Sequence, residues 1–319
     1  VYKRQTHGRV ADRDRYNGGN VTETARVPRP AQENRDTIFL EDAEVLSAER
    51  FPGEQFVLRM HAPQCARDAT AGSFVHIQCD ERIPMRRPLS IMRTSTDKGW
   101  VEVLFKVVGA GLQALGEKKP GDKLSLIGPI GHGFSPDAPH SRPLLIGGGV
   151  GIPPMIFLAE HLKEDEFDWQ PVVMMGSEIP FPFERRESAI ATPWLTEETN
   201  HSMPLMERWQ IPCRLASLSD FRGCYKGYVT DLARQYLQSL DSEALAQTCV
   251  FSCGPTPMLQ AVAALAAEYD LPCQVSLEEY MACAVGGCAG CAVPVKTADG
   301  PTMQRVCVDG PVFDAAAVF

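Results

Sequence analysis

At 319 residues, with 44% hydrophobic and 22% charged positions, the chain is long enough for two or three domains and has the composition of an ordinary globular protein. A formal net charge of −9 argues against a large nucleic-acid footprint, and no apolar run is long enough to span a bilayer. Eleven cysteines, behind an N-terminus (VYKRQTHGRVADRDRYNGGN) without the apolar core of a secretory leader, point to free thiols in a reducing cytoplasm.

Residues 1–36 are polar, rich in Arg, Asp, Asn and Gly, and without apolar periodicity; they read as a flexible N-terminal tail. From 37 to 139 the pattern is strand-like. TIFLEDAEVLSAERF, EQFVLRMHAP, GSFVHIQC, RRPLSIMRTS, WVEVLFKVV and KLSLIGPIG are short, apolar and partly alternating, and Pro-Gly, Asp-Glu and Asp-Lys-Gly turns separate them. Strands at this spacing predict a small antiparallel β-barrel, with GLQALGEKK as one short helix inside it.

The rhythm changes at 140. RPLLIGGGVGIPPMIFLAEHLKE is a strand, a glycine turn and a helix. QPVVMMGS, CRLASLS and TCVFSCG are further apolar strands, while GYVTDLARQYLQSL and PMLQAVAALAAEYD have helical spacing. This alternation predicts a parallel-sheet α/β domain over 140–272. A proline-rich stretch at about 178–212 has no clear period and is too long for an ordinary loop, so it reads as an insertion or lid. Residues 273–319 form a small cysteine-rich C-terminal domain.

Four motifs carry chemistry. Cys283, Cys288, Cys291 and Cys307 give C-x4-C-x2-C-x15-C, whose first three positions have the plant-type [2Fe-2S] spacing. The intervening Gly286, Gly287 and Gly290 would let backbone N–H groups approach the cluster sulfurs. Four cysteines also suit structural zinc, although zinc favours two separated C-x2-C pairs, and unligated core thiols are the third reading. RRPLSI (86–91) is by itself an edge strand with solvated arginines, but its guanidinium groups could neutralise a pyrophosphate, with the glycines of KVVGAGL supplying a helix N-terminus opposite. LLIGGGVGIPPM places Gly147, Gly148, Gly149 and Gly151 between strand and helix, either as a dinucleotide turn or as a plain tight turn. FSCGPTPML puts Cys253, Gly254 and Pro255 at a strand end, where the thiol points into a ligand crevice or is simply buried.

In this order the motifs resemble the electron-transfer subunits of type B dihydroorotate dehydrogenase, within the ferredoxin-reductase-like superfamily. The resemblance runs from about residue 37 to 313, and SLEEYMACAVGGCAGCAVPV and RVCVDGPVF are its most specific carriers. It implies FAD on the barrel, NAD(P) on the α/β domain and [2Fe-2S] at the end. By position, Arg87, Pro88, Leu89, Ser90, Leu104, Phe105 and Lys106 would hold the flavin, with Gly111 and Leu112 at its pyrophosphate. Gly147, Gly148, Gly149, Gly151, Gly254 and Pro255 would hold the nicotinamide cofactor, and Cys253 would lie against its ring. The family usually has Thr at position 112 and Asn at 132, where this chain has Leu112 and His132. Its acidic TDDG-like turn is replaced by ASLSDFRG.

The implied activity is an oxidoreductase subunit of a hetero-oligomer. Electrons from an FMN-containing dehydrogenase partner would reach NAD(P) by way of the cluster and FAD. Two alternatives stand beside it: an NAD(P)H-dependent flavin and iron–sulfur reductase subunit of another redox complex, and a zinc-binding interaction module.

Overall fold

The computed structural model describes residues 37–319; the expected N-terminal tail lies outside the described residues. The first six strands are β1 (Phe39–Phe51), β2 (Gln55–His61), β3 (Phe74–Gln78), β4 (Arg87–Ser95), β5 (Trp100–Lys106) and β6 (Lys123–Ile130). They close into an antiparallel barrel in the order β1-β2-β5-β4-β3-β6. Alternation sets the lining: Ala43, Val45, Leu58, Val75, Ile77 and Val103 have no exposed surface and fill the interior. The helix expected inside this region is α2 (Gly109–Gly116); a shorter one, α1 (Pro63–Asp68), has Pro in its first turn and was not expected.

The second half is built on β7 (Arg142–Gly148), α3 (Ile152–Glu164), β8 (Val172–Gly176), β11 (Cys213–Ser217), β12 (Tyr225–Lys226), α5 (Val229–Ser239), α6 (Ser242–Ala246), β13 (Thr248–Cys253), α7 (Thr256–Glu268) and β14 (Cys273–Ser276). The sheet order is β12-β11-β8-β7-β13-β14, every neighbouring pair parallel. The strand order reverses at β7, so a crevice opens beyond the carboxyl ends of β7 and β13. One apolar cluster runs from the barrel interior through Phe134 into Ile152, Met155 and Phe251, so barrel and sheet share a continuous core.

The segment between β8 and β11, which includes the stretch at about 178–212 read from the sequence as an insertion or lid, has local structure of its own. It folds into a two-stranded pair, β9 (Arg186–Glu187) with β10 (His201–Ser202), and a six-residue helix α4 (Pro204–Trp209). Trp194 packs on Tyr236 of α5 at 5.2 Å, and the Arg185 guanidinium lies 4.9 Å from the Phe221 ring centre, so aromatic contacts anchor what periodicity could not reveal. The stretch from 273 onward is joined to the sheet at two places. β14 completes the parallel sheet, the hairpin β15 (Ala292–Thr297) and β16 (Gly300–Arg305) forms a two-stranded sheet of its own whose Val295 packs with Val318 of the C-terminal helix, and β17 (Val312–Asp314) returns to pair antiparallel with β14 before α8 (Ala315–Val318). The cysteine loop is thus inserted between two strands of the same sheet. Among the described residues no helix is long and apolar enough to cross a membrane.

Candidate functional site

The cysteine loop follows β14 directly. Cys283 is half-buried, Cys288 exposed, and Cys291 and Cys307 buried. The four thiols fall into two neighbouring pairs, Cys283 beside Cys288 and Cys307 beside Cys291, close enough that Cys288 shifts the Cys283 thiol and Cys291 shifts the Cys307 thiol. Burial alone would raise the Cys283 thiol, but backbone amides of Val285, Cys288 and Gly287 and the Cys288 thiol outweigh it and bring the pKa down to about 7. Burial and the neighbouring Cys291 push Cys307 up to about 12. The Gly290 N–H donates to Cys288 Sγ at 3.4 Å. Among the described residues no three His, Cys, Asp or Glu side chains converge to hold a single ion. Two thiol pairs with amides turned toward sulfur suit two bridged irons, each taking one pair, better than one tetrahedral ion. The loop bends where Ala284 and Ala289 take φ of 56° and 53°, left-handed conformations whose cost the surrounding fold must offset.

The loop leans on the barrel. Met281, Ala284, Cys291 and Cys307 share an apolar cluster with Phe74 of β3 and Ile130 of β6. On the next strand, Pro88 pairs with His76 and Ser90 with Phe74. Directly opposed residues point to the same face, so the strand expected to carry flavin and the strand under the cysteine loop present one shared outer surface.

The two arginines of RRPLSI part company. Arg86 is spent internally: its guanidinium donates to Ser125 O (2.7 Å), Ser125 Oγ (2.7 Å) and His76 O (3.2 Å), tying β4's start to β3 and β6. Arg87 donates to the carbonyls of Met85 and Arg86 and extends over α2, where a Cβ built on Gly111 would come within 3.1 Å of its guanidinium. The space above Gly109 is open, with nothing within 4 Å of a built Cβ, and the first turn of α2 has no side-chain cap. Guanidinium, free N–H groups and room for a ligand fit a pyrophosphate. Pro88 and Ser90 are half-buried and Lys106 exposed, but Leu89, Leu104 and Phe105 are buried, with Phe105 stacked on Phe56 at 5.5 Å. For these three, contact with a bound group would run through the backbone. Leu112 is half-buried on α2 beside Gly111.

Gly147 and Gly148 end β7; a single 3-10 turn, Gly149–Gly151, follows, and Pro153 and Pro154 open α3. Gly149 has φ of +56° with open space above it, while a Cβ on Gly151 would fall 2.3 Å from the Cys253 carbonyl carbon. The first permits the turn and the second lets it close against β13. Gly147 pairs with Cys253 in the sheet, which brings Gly254 and the exposed Pro255 to the same crevice. Cys253 itself is fully buried, its thiol pushed well up by burial and then by Glu278. It is packed within the core at the crevice floor and has no exposed surface there. Of the remaining cysteines, burial raises Cys213 to about 11 and Cys249 and Cys273 to about 12, as inert core thiols require.

Three residues near these sites had no sequence signal. Glu278 is exposed as a residue, yet its carboxyl is set among protein atoms and loss of water raises its pKa. His76 is fully buried on the shared surface. Arg93 meets Glu160 across the barrel–sheet boundary. All three depend on contacts between segments distant in the chain.

Residues 278–319 match the model of the iron–sulfur cluster binding domain of dihydroorotate dehydrogenase B. The chain is 32% identical over 274 residues to the dihydroorotate dehydrogenase B (NAD(+)) electron transfer subunit of Desulforamulus reducens, covering 85% of this chain and 95% of the relative. It is likewise 32% identical over 277 residues to the same subunit of Caldanaerobacter subterraneus, covering 86% and 97%. Among solved structures, a chain of the NADH-dependent reduced ferredoxin-NADP oxidoreductase superposes with a TM-score of 0.69 at 25% identity, covering 88% of this chain and 90% of that one. A ferredoxin reductase of carbazole 1,9a-dioxygenase shares the fold, with a TM-score of 0.54 at 21% identity, covering 74% and 67%.

Proposed function

The chain belongs to the family of dihydroorotate dehydrogenase B electron transfer subunits, and from that premise we propose that it passes electrons from a catalytic dihydroorotate dehydrogenase subunit to NAD, in pyrimidine biosynthesis, using a [2Fe-2S] cluster and FAD. The observation that carries the proposal is the pairing of Cys283 with Cys288 and of Cys291 with Cys307, inside the segment that matches the family's cluster domain. Bound to such a chain, the cluster supplies one-electron exchange, and FAD joins it to the two-electron chemistry of the nicotinamide ring.

The chain's own residues hold and orient. The four cysteines ligate, and the loop amides stabilise charge on sulfur. Arg87 and the α2 N-terminus neutralise the FAD pyrophosphate, while Pro88, Leu89 and Ser90, with Leu104, Phe105 and Lys106, line the flavin's seat. Gly111 and Leu112 border its phosphates. Gly147, Gly148, Gly149 and Gly151 take the NAD(P) phosphates at the start of α3, and Gly254 and Pro255 form the opposite wall. Cys253 shapes that wall from beneath. The partner is the catalytic subunit, FMN-containing by the family's chemistry, in a hetero-oligomer. All eleven cysteines are free, which supports a reducing cytoplasm as its location.

A reductase subunit of another redox complex is the second reading, and the likeness to a chain of the NADH-dependent reduced ferredoxin-NADP oxidoreductase favours it over a zinc-binding module. Anaerobic affinity purification from the native host separates the two. The proposal expects flavin, iron and acid-labile sulfide in the preparation, and a dihydroorotate-oxidising subunit bound to the chain. A different co-purifying dehydrogenase would overturn it in favour of the second reading, and a colourless protein containing zinc would overturn both.

A further inference from the structure

Cys291 and Cys307 stand at the foot of the β15–β16 hairpin, where Ala292 pairs with Arg305 and the Val306 N–H donates to the Cys291 carbonyl at 3.0 Å. Residues 282–288, which carry Cys283 and Cys288, belong to no strand or helix, so no ladder holds that half of the ligand set. A side chain reaches across instead: Arg305 Nη1 donates to the Gly286 carbonyl at 3.0 Å. The other edge of the guanidinium is fixed on Asp309, with Nε 3.1 Å from Oδ2 and Nη2 3.3 Å from Oδ1. Asp309 is held in turn. Its Oδ2 accepts from the Arg305 backbone N–H at 2.7 Å, and its own N–H donates to the Arg305 carbonyl at 2.8 Å. Residues 305–309 thus form a closed turn with Cys307 at its centre. The next two residues tie that turn to the rest of the fold: the Gly310 carbonyl accepts from the His132 N–H just past β6, and the Pro311 carbonyl from the Leu277 N–H just past β14. The two halves also touch. Gly286 has φ of +78°, and a Cβ built on it would fall 3.0 Å from Val308 Cγ2 and 3.2 Å from Arg305 Nη1. Bare backbone at Gly286 therefore lets the loop close onto the residues on either side of Cys307.

We propose that Arg305 is a positioning residue of the cluster: anchored by Asp309, its guanidinium holds the Gly286 carbonyl and so fixes the Cys283–Cys288 loop against the Cys291–Cys307 pair. This rests on the function proposed above and adds a residue to it. A planar guanidinium carries donors on two edges, so it engages a carboxylate with one and a carbonyl with the other, a fixed fork that a single ammonium does not reproduce. Its bond to Gly286 is charge-assisted and stronger than one between neutral groups. With the Arg305 side chain 42% exposed, the ion pair itself is worth little to stability. Its value lies in where it acts, between two ligands of one loop. A bridged pair of irons needs all four thiolates at once. Loss of the hold is therefore expected to loosen the centre by about 10-fold, the lower end of what partners outside the ligand set contribute to a metal site.

The test uses the complex of this chain with its catalytic partner, purified anaerobically, with Arg305→Met and Arg305→Lys. Met keeps the apolar stem and removes both edges; Lys keeps the charge and one point of attachment. Electron paramagnetic resonance of the reduced complex reports the geometry at the irons. Iron release to excess chelator, followed as the coloured chelate forms, reports how firmly they are held, and FAD content with circular dichroism reports the fold. In Arg305→Met we expect an altered resonance spectrum and iron release faster by about 10-fold, with FAD content and circular dichroism as in wild type. Arg305→Lys should fall between Met and wild type in both cluster readouts. A Met variant with wild-type spectrum and wild-type release would overturn the assignment. So would loss of FAD and of regular structure in both variants, which marks a general folding role. Wild-type complex without iron or flavin would overturn the function on which the assignment rests, a result visible before any variant is made.

Discussion

Arg93 of β4 and Glu160 of α3 form a two-pronged ion pair across the boundary between barrel and sheet: Nε lies 3.0 and 3.2 Å from the two carboxylate oxygens, and a terminal nitrogen closes the second prong. The side chains are 23% and 12% exposed, and the guanidinium also lies 5.7 Å from the Trp100 ring centre and 5.5 Å from that of Trp209. The pair orients the two halves that meet at the crevice. Removing one partner strands the other charge in a dry setting, at a cost of about 3–5 kcal/mol. Glu160→Ala is therefore expected to lower unfolding free energy by that amount in urea titrations. Replacing both residues with apolar ones of similar volume should restore much of it. A loss under 1 kcal/mol in the single variant would show that the contact is worth no more than a surface pair.

The arginines of RRPLSI should separate cleanly by assay. Arg87→Ala removes a guanidinium that faces α2 and holds only nearby carbonyls. It should weaken FAD binding by roughly 10- to 100-fold, the value of one or two charge-assisted hydrogen bonds, and barely move the melting temperature. Arg86→Ala deletes three bonds that tie β4 to its neighbours, so it should lower stability first. Flavin fluorescence titration beside thermal melts distinguishes them, and the reverse pattern would exchange the two roles.

The elements were largely legible because each strand and helix carried its own period. TIFLEDAEVLSAERF became β1, WVEVLFKVV became β5 and the helical spacing of PMLQAVAALAAEYD became α7, each within a few residues. The parallel order followed from alternation. What stayed hidden was set by contacts between distant segments. The insertion is held by Trp194 on Tyr236 and Arg185 on Phe221, pairs with no shared local pattern. β17 is only three residues long and joins the sheet because β14 offers it an edge. Cysteine spacing drew attention to the loop, but its division into pairs depends on where Cys307 returns after the hairpin. His76 carries no local signal of its burial, because its ring is covered by contacts from outside its own strand.

The same histidine gives the chain an acid-sensitive component. Burial, and then the charge of Arg86, hold the His76 ring at about 4 against a reference of 6.5; backbone groups of Met281 and Arg86 oppose this in part, and Arg87 adds a smaller push downward. The folded pKa lies below the unfolded one, so between about pH 6.5 and pH 4 the unfolded chain binds a proton that the folded chain does not. Stability should thus fall as pH drops through this window, level off below it with respect to this group, and be unaffected above it. The full effect is on the order of 3 kcal/mol. Denaturant titrations from pH 7.5 to 4 should show a steeper loss in wild type than in His76→Phe. Parallel curves would mean the ring is not held neutral.

Cys288 is the exposed member of the four thiols, and its replacement should disturb the fold least. Serine keeps the size and loses the soft thiolate ligand that iron prefers. In Cys288→Ser the barrel and the nucleotide crevice are expected to remain intact, since this side chain is exposed and lies in neither apolar core. The variant complex is accordingly expected to retain FAD and to oxidise NADH with an artificial acceptor at close to the wild-type rate. Electron delivery from dihydroorotate to NAD should fall by at least 100-fold, a loss at the upper end of what changes around a metal centre produce. Activity with each substrate pair, set beside iron content, is the measurement. Equal loss of both activities with normal flavin content would mean that the cysteine loop lies on the NADH side of the flavin, and the proposed order of carriers would have to be reversed.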